Sequence, residues 1–235
     1  MHIATYLLLF KVLLMQVTQA IKNRRSIRGF KPDAIPEDTL REILDTARHA
    51  PSNCNTQPWH FTVVSGEARA RLQEAIMAEI LSGKAPSPAF PPGDVGLTGV
   101  YKERQYDCAM TYYGTMGIER HEKDKRQALM LKNWEFFGAP HVGFLSMPVS
   151  MGPVNGVDIG IYLQTLMLLL VEHGMASIPQ GALAFYPDEV LKIANLPEGH
   201  GIICGLSFGY EQEGEQINKV VMDRAPLEET VTLIS

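Results

Sequence analysis

The chain has 235 residues, 26 acidic against 21 basic side chains, a formal net charge of −5 and 46% hydrophobic residues. That length fits one good-sized domain, and that apolar fraction excludes a disordered chain. The acidic balance argues against nucleic acid as a partner, because phosphate-backbone binding needs a basic excess.

The first segment, "TYLLLFKVLLMQV", is apolar, but Lys11 interrupts it and it is shorter than the ~20 residues of a membrane span. It also lacks a clear signal-peptide order of basic, apolar and small residues. Residues 1–14 are therefore expected to form an apolar extension that packs on something, such as a second subunit; a membrane-surface anchor and a start at Met15 are the alternatives. Residues 15–235 form the domain. A helix over 17–24 leads into "NRRSIRGF", where Arg24, Arg25, Ser26 and Arg28 crowd together. If this stretch is extended, residues 24, 26 and 28 share one side, a set suited to phosphate oxygens. A solvated basic helix end fits the same residues.

Residues 37–49 read as a helix. Pro36 sits before acidic Glu37 and Asp38, and Leu40, Ile43, Leu44 and Ala47 make one apolar stripe. "PSNCNTQPW" (51–59) follows. It is a polar loop pinned by two prolines, built to hold something rather than react with it. Its Cys54, like Cys108 and Cys204, is expected to be a free thiol, mostly buried, in a reducing cytoplasmic compartment.

"HFTVVSG", "HVGFLSMP" and "GIICGLSFGY" read as buried strands, bounded by Gly or Pro. Helical patterns cover 67–81, 101–117, 122–137 and 157–173, giving an α+β or mixed α/β domain. The Pro/Gly-rich stretch 83–99 opens a lid excursion that reaches to about residue 121. The helix from Val157 is apolar nearly all round, so part of it is expected at a subunit interface. "ASIPQGALAFYP" reads as a helix-to-strand connection in which Gly181 would let backbone approach a flat ligand closely.

No serine, cysteine or histidine has the partners of a hydrolytic triad. His49, His60, His141 and His173 are scattered without metal-site spacings. Anion-holding segments without acid–base machinery point to a bound cofactor that supplies the reactivity.

Taken together, "AIKNRRSIRGFKPDAIPEDTLREILDTARHAPSNCNTQPWHFTVVSG", "FFGAPH", the helix from Val157, "PQGAL" and "RAPLEE" resemble the nitroreductase family of flavin enzymes, in the family's order. The resemblance implies an α+β fold with a central, mostly antiparallel sheet flanked by helices. It implies an intertwined homodimer with one FMN at each end of the interface. Arg24, Arg25 and Ser26 would hold the phosphate and ribityl chain, and Arg28 the pyrimidine edge. Pro51, Ser52, Asn53 and Asn55 would reach the partner's FMN, with Trp59 anchoring their loop. Pro179, Gln180 and Gly181 would run along the isoalloxazine, with a backbone N–H toward N5, and Arg224 would return to the phosphate. Where many relatives carry a second basic residue before that arginine, this chain has Val221 and Met222.

The resemblance further implies ping-pong hydride transfer from NADH or NADPH through flavin N5 to an electron-poor acceptor such as a nitroarene or quinone. No side chain is assigned a catalytic role. Phe90, Tyr101, Tyr106, Tyr112 and Tyr113 would set acceptor choice or simply pack the lid. The rival readings are a reductive dehalogenase, a flavin-fragmenting enzyme and a non-catalytic flavin-binding protein. Membrane association is not expected.

Overall fold

The computed structural model describes residues 15–235; the expectations for residues 1–14 lie outside the described residues. Four strands, β1 (His60–Ser65), β2 (His141–Pro148), β3 (Ala176–Gln180) and β4 (His200–Gly209), form one antiparallel sheet in the order β1-β2-β4-β3. Seven helices are seen among the described residues: α1 (Val17–Asn23), α2 (Glu37–Ala47), α3 (Gly66–Leu81), α4 (Gly99–Thr115), α5 (Lys123–Leu131), α6 (Pro153–Glu172) and α7 (Pro187–Ile193).

The sheet is covered on both faces. Ile43 and Ala47 of α2 and Ile159, Leu166 and Leu170 of α6 pack on Leu145, Met147, Leu206 and Phe208. Leu72 and Ile76 of α3 and Val190 of α7 pack on Val64, Val142, Phe144 and Ile202. Fully burying one such large side chain contributes about 1.5–3 kcal/mol. Along β4, Ile202 belongs to the α3/α7 layer while Cys204, Leu206 and Phe208 belong to the α2/α6 layer. A register shift between Leu145 and Ser146 skips Ile203 in the pairing and reverses the alternation.

The expected helix-to-strand connection 176–187 contains a strand of its own, and a helix follows it. β3 contains Pro179, which cannot donate to a ladder, and it lies at the sheet edge where that loss is tolerated. α7 is a seven-residue helix opened by Pro187. The helix expected to reach residue 137 stops at Leu131; turns follow, and Phe136 and Phe137 take left-handed φ angles of 55° and 52° that exclude helix there. The thiols also differ from expectation: Cys54 and Cys108 are exposed, and Cys204 alone is buried. Burial pushes the Cys204 thiol up to about 12.

Helix α6 starts earlier than its apolar run suggests, with Pro153 in its first turn, and Gly174 at a φ of 72° follows its end. By length and composition it is the one helix among the described residues that is apolar enough to cross a membrane. In the fold it packs on α1, α2 and the sheet, yet Val154, Val157 and Ile161 stay exposed along it.

Candidate active site

A small third core fixes the arginine segment against the sheet edge. Ile27 and Phe30 pack with Ile178, Ala176, Leu129 and Phe137, under Tyr112 and Tyr113 of α4. The backbone there is extended: Ser26 bridges Ser177 in parallel, and the Ile27 N–H donates to the Ser177 carbonyl at 3.1 Å. The parallel register carries Arg28 alongside Pro179. Buried Asn218 pins the turn beyond by accepting from the Arg28 N–H at 2.8 Å and donating to the Gly29 carbonyl at 2.9 Å.

The extended backbone sorts the side chains by parity. Arg25 turns away to Glu211, with bonds of 3.0 and 3.1 Å, and to the Asn218 carbonyl at 2.7 Å. Both partners of that ion pair are about a third exposed, so it contributes at most ~1 kcal/mol. Its effect is to tie residue 25 to the fold. The Arg24 side chain has no hydrogen-bond or ion-pair partner among the described residues. Burial, and then the nearby Arg224 charge, lower its pKa. Arg224 is exposed and bonds only the carbonyls of Met222 and Asp223, both at 3.0 Å. Neither guanidinium is paired with a carboxylate among the described residues, so the like charges are left facing each other.

Arg28 is half-buried, donates to the Ser26 carbonyl at 3.2 Å, and lies 4.8 Å above the Tyr112 ring. Burial lowers its pKa, and burial likewise pushes the Tyr112 hydroxyl up to about 12, with Arg28 opposing. No carboxylate pairs with Arg28 among the described residues.

Past Pro179, the buried Gln180 side chain donates to Asn133 at 2.9 and 3.2 Å and accepts from the Ser207 hydroxyl at 2.5 Å. Its polar atoms are thus satisfied within the fold, which leaves only its backbone for a ligand. Gly181 is exposed, and a Cβ added there would meet nothing within 4 Å. Its φ is not left-handed, so the chain itself does not demand glycine here; the open space above it is what a flat ligand would fill. A cavity of about 500 Å³ borders it, walled by Ala182, Phe185, Phe90, Pro91 and Asp94. Ser87 N–H donates to the Phe185 carbonyl at 2.8 Å and ties the lid to this turn.

The loop 51–59 is seated elsewhere. Asn53 N–H donates to Asp158 Oδ1 of α6 at 3.0 Å, and Trp59 stacks on Tyr162 at 5.1 Å. Ser52 Oγ accepts from the Gln57 N–H at 2.9 Å, leaving Pro51, Asn53 and Asn55 exposed. Cys54, Asn55 and Gln57 hold φ angles of 51°, 56° and 46°, a strain of about 1–3 kcal/mol each that persists only where the surroundings enforce it. Asp158 lies near the start of α6, whereas Ser177 follows its end. At about 1.5 Å per residue, the loop and the arginine segment sit roughly 20 Å apart along that helix. One chain does not bring them together.

The Nitroreductase family model matches residues 21–210. The chain belongs to the nitroreductase family. It is 42% identical over 210 residues to nitroreductase NfnB of Mycolicibacterium smegmatis (strain ATCC 700084 / mc(2)155), spanning 89% of each chain. It is 32% identical over 204 residues to a 4-nitrobenzoate reductase of Pseudomonas putida, spanning 87% of this chain and 89% of that one. The crystal structure of the FMN-dependent nitroreductase NfnB from Mycobacterium smegmatis in complex with NADPH superposes with a TM-score of 0.89 at 40% identity, over 93% of this chain and 97% of that one. The fold is the nitroreductase fold. Within this family member, sequence reading missed Asp158, Asn218 and the Asn133–Gln180 link. An acid inside the otherwise apolar "VDIGIYLQ" was a usable signal for the first. Nothing local marks Asn218, whose partners lie up to 193 residues away.

Proposed function

We propose that the protein is an FMN-dependent oxidoreductase that takes hydride from NADPH or NADH and delivers it to an electron-poor aromatic acceptor such as a nitroarene or quinone. The observation that carries this reading is an extended segment on the β3 edge whose Arg24 and Arg28 have no acidic partner among the described residues, with Arg224 near Arg24 and the open turn of Gly181 at the end of the same strand. FMN would supply the two-electron chemistry at N5. Arg24 and Arg224 would hold its phosphate, Ser26 its ribityl hydroxyls, and Arg28 would favour negative charge at the pyrimidine edge. Arg25 would act indirectly, by holding the segment straight. Pro179 to Gly181 would offer backbone to the ring system. The cavity under Phe90 and Phe185 would keep water from the exposed ring face and accept a flat acceptor.

The working unit in this reading is a homodimer in the cytoplasm. The exposed apolar line Val154, Val157 and Ile161 on α6 supports a second copy there. The separation of Asn53 from Arg24 supports sites completed by Pro51, Ser52, Asn53 and Asn55 of the other chain. Purified protein is expected to be yellow, with about one FMN per chain, and to oxidise NADPH when 4-nitrobenzoate is added. Colourless protein that FMN cannot reconstitute would defeat the proposal.

A further inference from the structure

A second cavity, of about 660 Å³, lies on the α4–α5 side of the molecule and has no use in the reading above. Tyr106, Met110 and Tyr113 line it together with Arg120 and Arg126. The Arg126 guanidinium stacks 4.2 Å over the Tyr113 ring, and its Nη1 points at the Arg120 carbonyl, 3.4 Å away. Stacking fixes the plane of the guanidinium and leaves its other edge donors free.

The acids nearby are already engaged. Glu119, also in the lining, turns its carboxylate to His121 at 3.2 Å. Glu122 is held by Lys125 at 2.5 Å and by the Glu119 N–H at 2.9 Å. Neither Arg120 nor Arg126 has a carboxylate partner among the described residues. A chain with a net charge of −5 has thus placed two arginines that lack a carboxylate partner, against the single exposed carboxylate of Glu119, beside an aromatic and thioether wall. The cavity is also close to the candidate site: Tyr113 packs 5.4 Å from Tyr112, whose other neighbour is Arg28.

We infer that this cavity is a binding subsite for an aromatic ring that carries an anionic group. The wall takes the ring, and Arg120 with Arg126 take the phosphate or carboxylate. The inference rests on the proposed reaction for its two sources of such a group, the 2′-phosphorylated adenosine end of NADPH and a benzoate-type acceptor. Its size suits something larger than a single bare ring.

The test uses FMN-loaded protein, wild type against Arg120→Gln, Arg126→Gln and the double variant, with FMN content as the check on folding. kcat/KM is compared for NADPH against NADH with nitrobenzene as acceptor, and for 4-nitrobenzoate against nitrobenzene with NADH as donor. A loss of about tenfold or more confined to NADPH identifies the nucleotide as the occupant, and the same loss confined to 4-nitrobenzoate identifies the acceptor. Discrimination unchanged in both pairs, or an equal fall for all four reactants, overturns the subsite. Should wild-type protein take up no FMN, the proposed reaction fails separately. Calorimetric titration with adenosine 2′,5′-bisphosphate and with 4-nitrobenzoate then still decides. Binding that the double variant loses supports the subsite, and no binding by wild type refutes it.

Discussion

A methyl group added at Gly181 meets no atom of the chain within 4 Å, whereas one at Gly143 would lie 2.0 Å from the Phe61 ring. The two glycines therefore serve different ends. Gly143→Ala is expected to lower the melting temperature, since overpacking of this kind costs about 1–3 kcal/mol. Gly181→Ala is expected to leave the cofactor-free melt unchanged and to weaken FMN binding, because only a ligand would occupy that space. Unaltered FMN affinity would place the ring elsewhere. Arg24→Ala and Arg224→Ala should each weaken FMN binding by about 1.5–3 kcal/mol. The empty protein should not suffer, since each change removes a like-charge neighbour. Parity made Arg24, Ser26 and Arg28 legible in the sequence. It could not say what Arg25 does, because Glu211 lies 186 residues away. Nor could it foresee that Gln180 would turn inward to Asn133 and Ser207, a choice made by packing around β3 and β4.

Elements with a clear local pattern, the apolar stripe of α2 and the bounded β-rich run of β2 among them, were visible in the chain, and those that break a local rule were not. β3 hides behind Pro179, and beyond α5 two phenylalanines stand in a backbone region their type rarely enters. How β2 is tied to its surroundings was equally hidden. Buried His141 accepts from the Ile35 N–H at Nε2 (2.8 Å), so Nδ1 carries the proton toward Ser65 Oγ, 2.5 Å away. Burial lowers its pKa from the ordinary 6.5. The folded protein therefore keeps the ring neutral while the unfolded chain takes up a proton. This contribution to stability is complete above pH 6.5 and is lost as pH falls from there toward the lowered folded value. His200, lowered by burial and then by His60, acts in the same direction. Urea midpoints should drop between about pH 7 and pH 5, and His141→Gln should show a shallower drop. An equal slope in the variant would clear His141 of the effect.

At the scale of the whole molecule, α6 separates what a site needs. Its start holds the Asn53 loop, its end leads to the strand that seats Ser26, and its exposed Val154, Val157 and Ile161 offer a face along its first half. Mixing subunits tests whether two chains complete one site. One subunit carries Arg24→Ala; the other carries Ser52→Ala with Asn55→Ala. Shared sites would give heterodimers with one doubly damaged and one intact site, so about half should bind FMN normally. Sites confined to one chain would leave both impaired, which would overturn the role given to the loop while leaving the flavin reading intact. The last stretch of chain, 221–235, has its own part here. It contains one short turn, Leu227–Glu229, and an exposed ion pair from Glu229 to Arg104 at 2.7 Å. Arg224 within it faces a like charge at Arg24, which the FMN phosphate would relieve in the proposed reading. The peptide bond after Arg224 should accordingly be open to trypsin in cofactor-free protein and guarded once FMN is bound, with mass spectrometry following release of residues 225–235. Equal cleavage rates would remove Arg224 from the phosphate site. If the bond is guarded as expected, proteolysis becomes a gauge of loading: a cell's proteases would clear empty enzyme first and let filled enzyme persist.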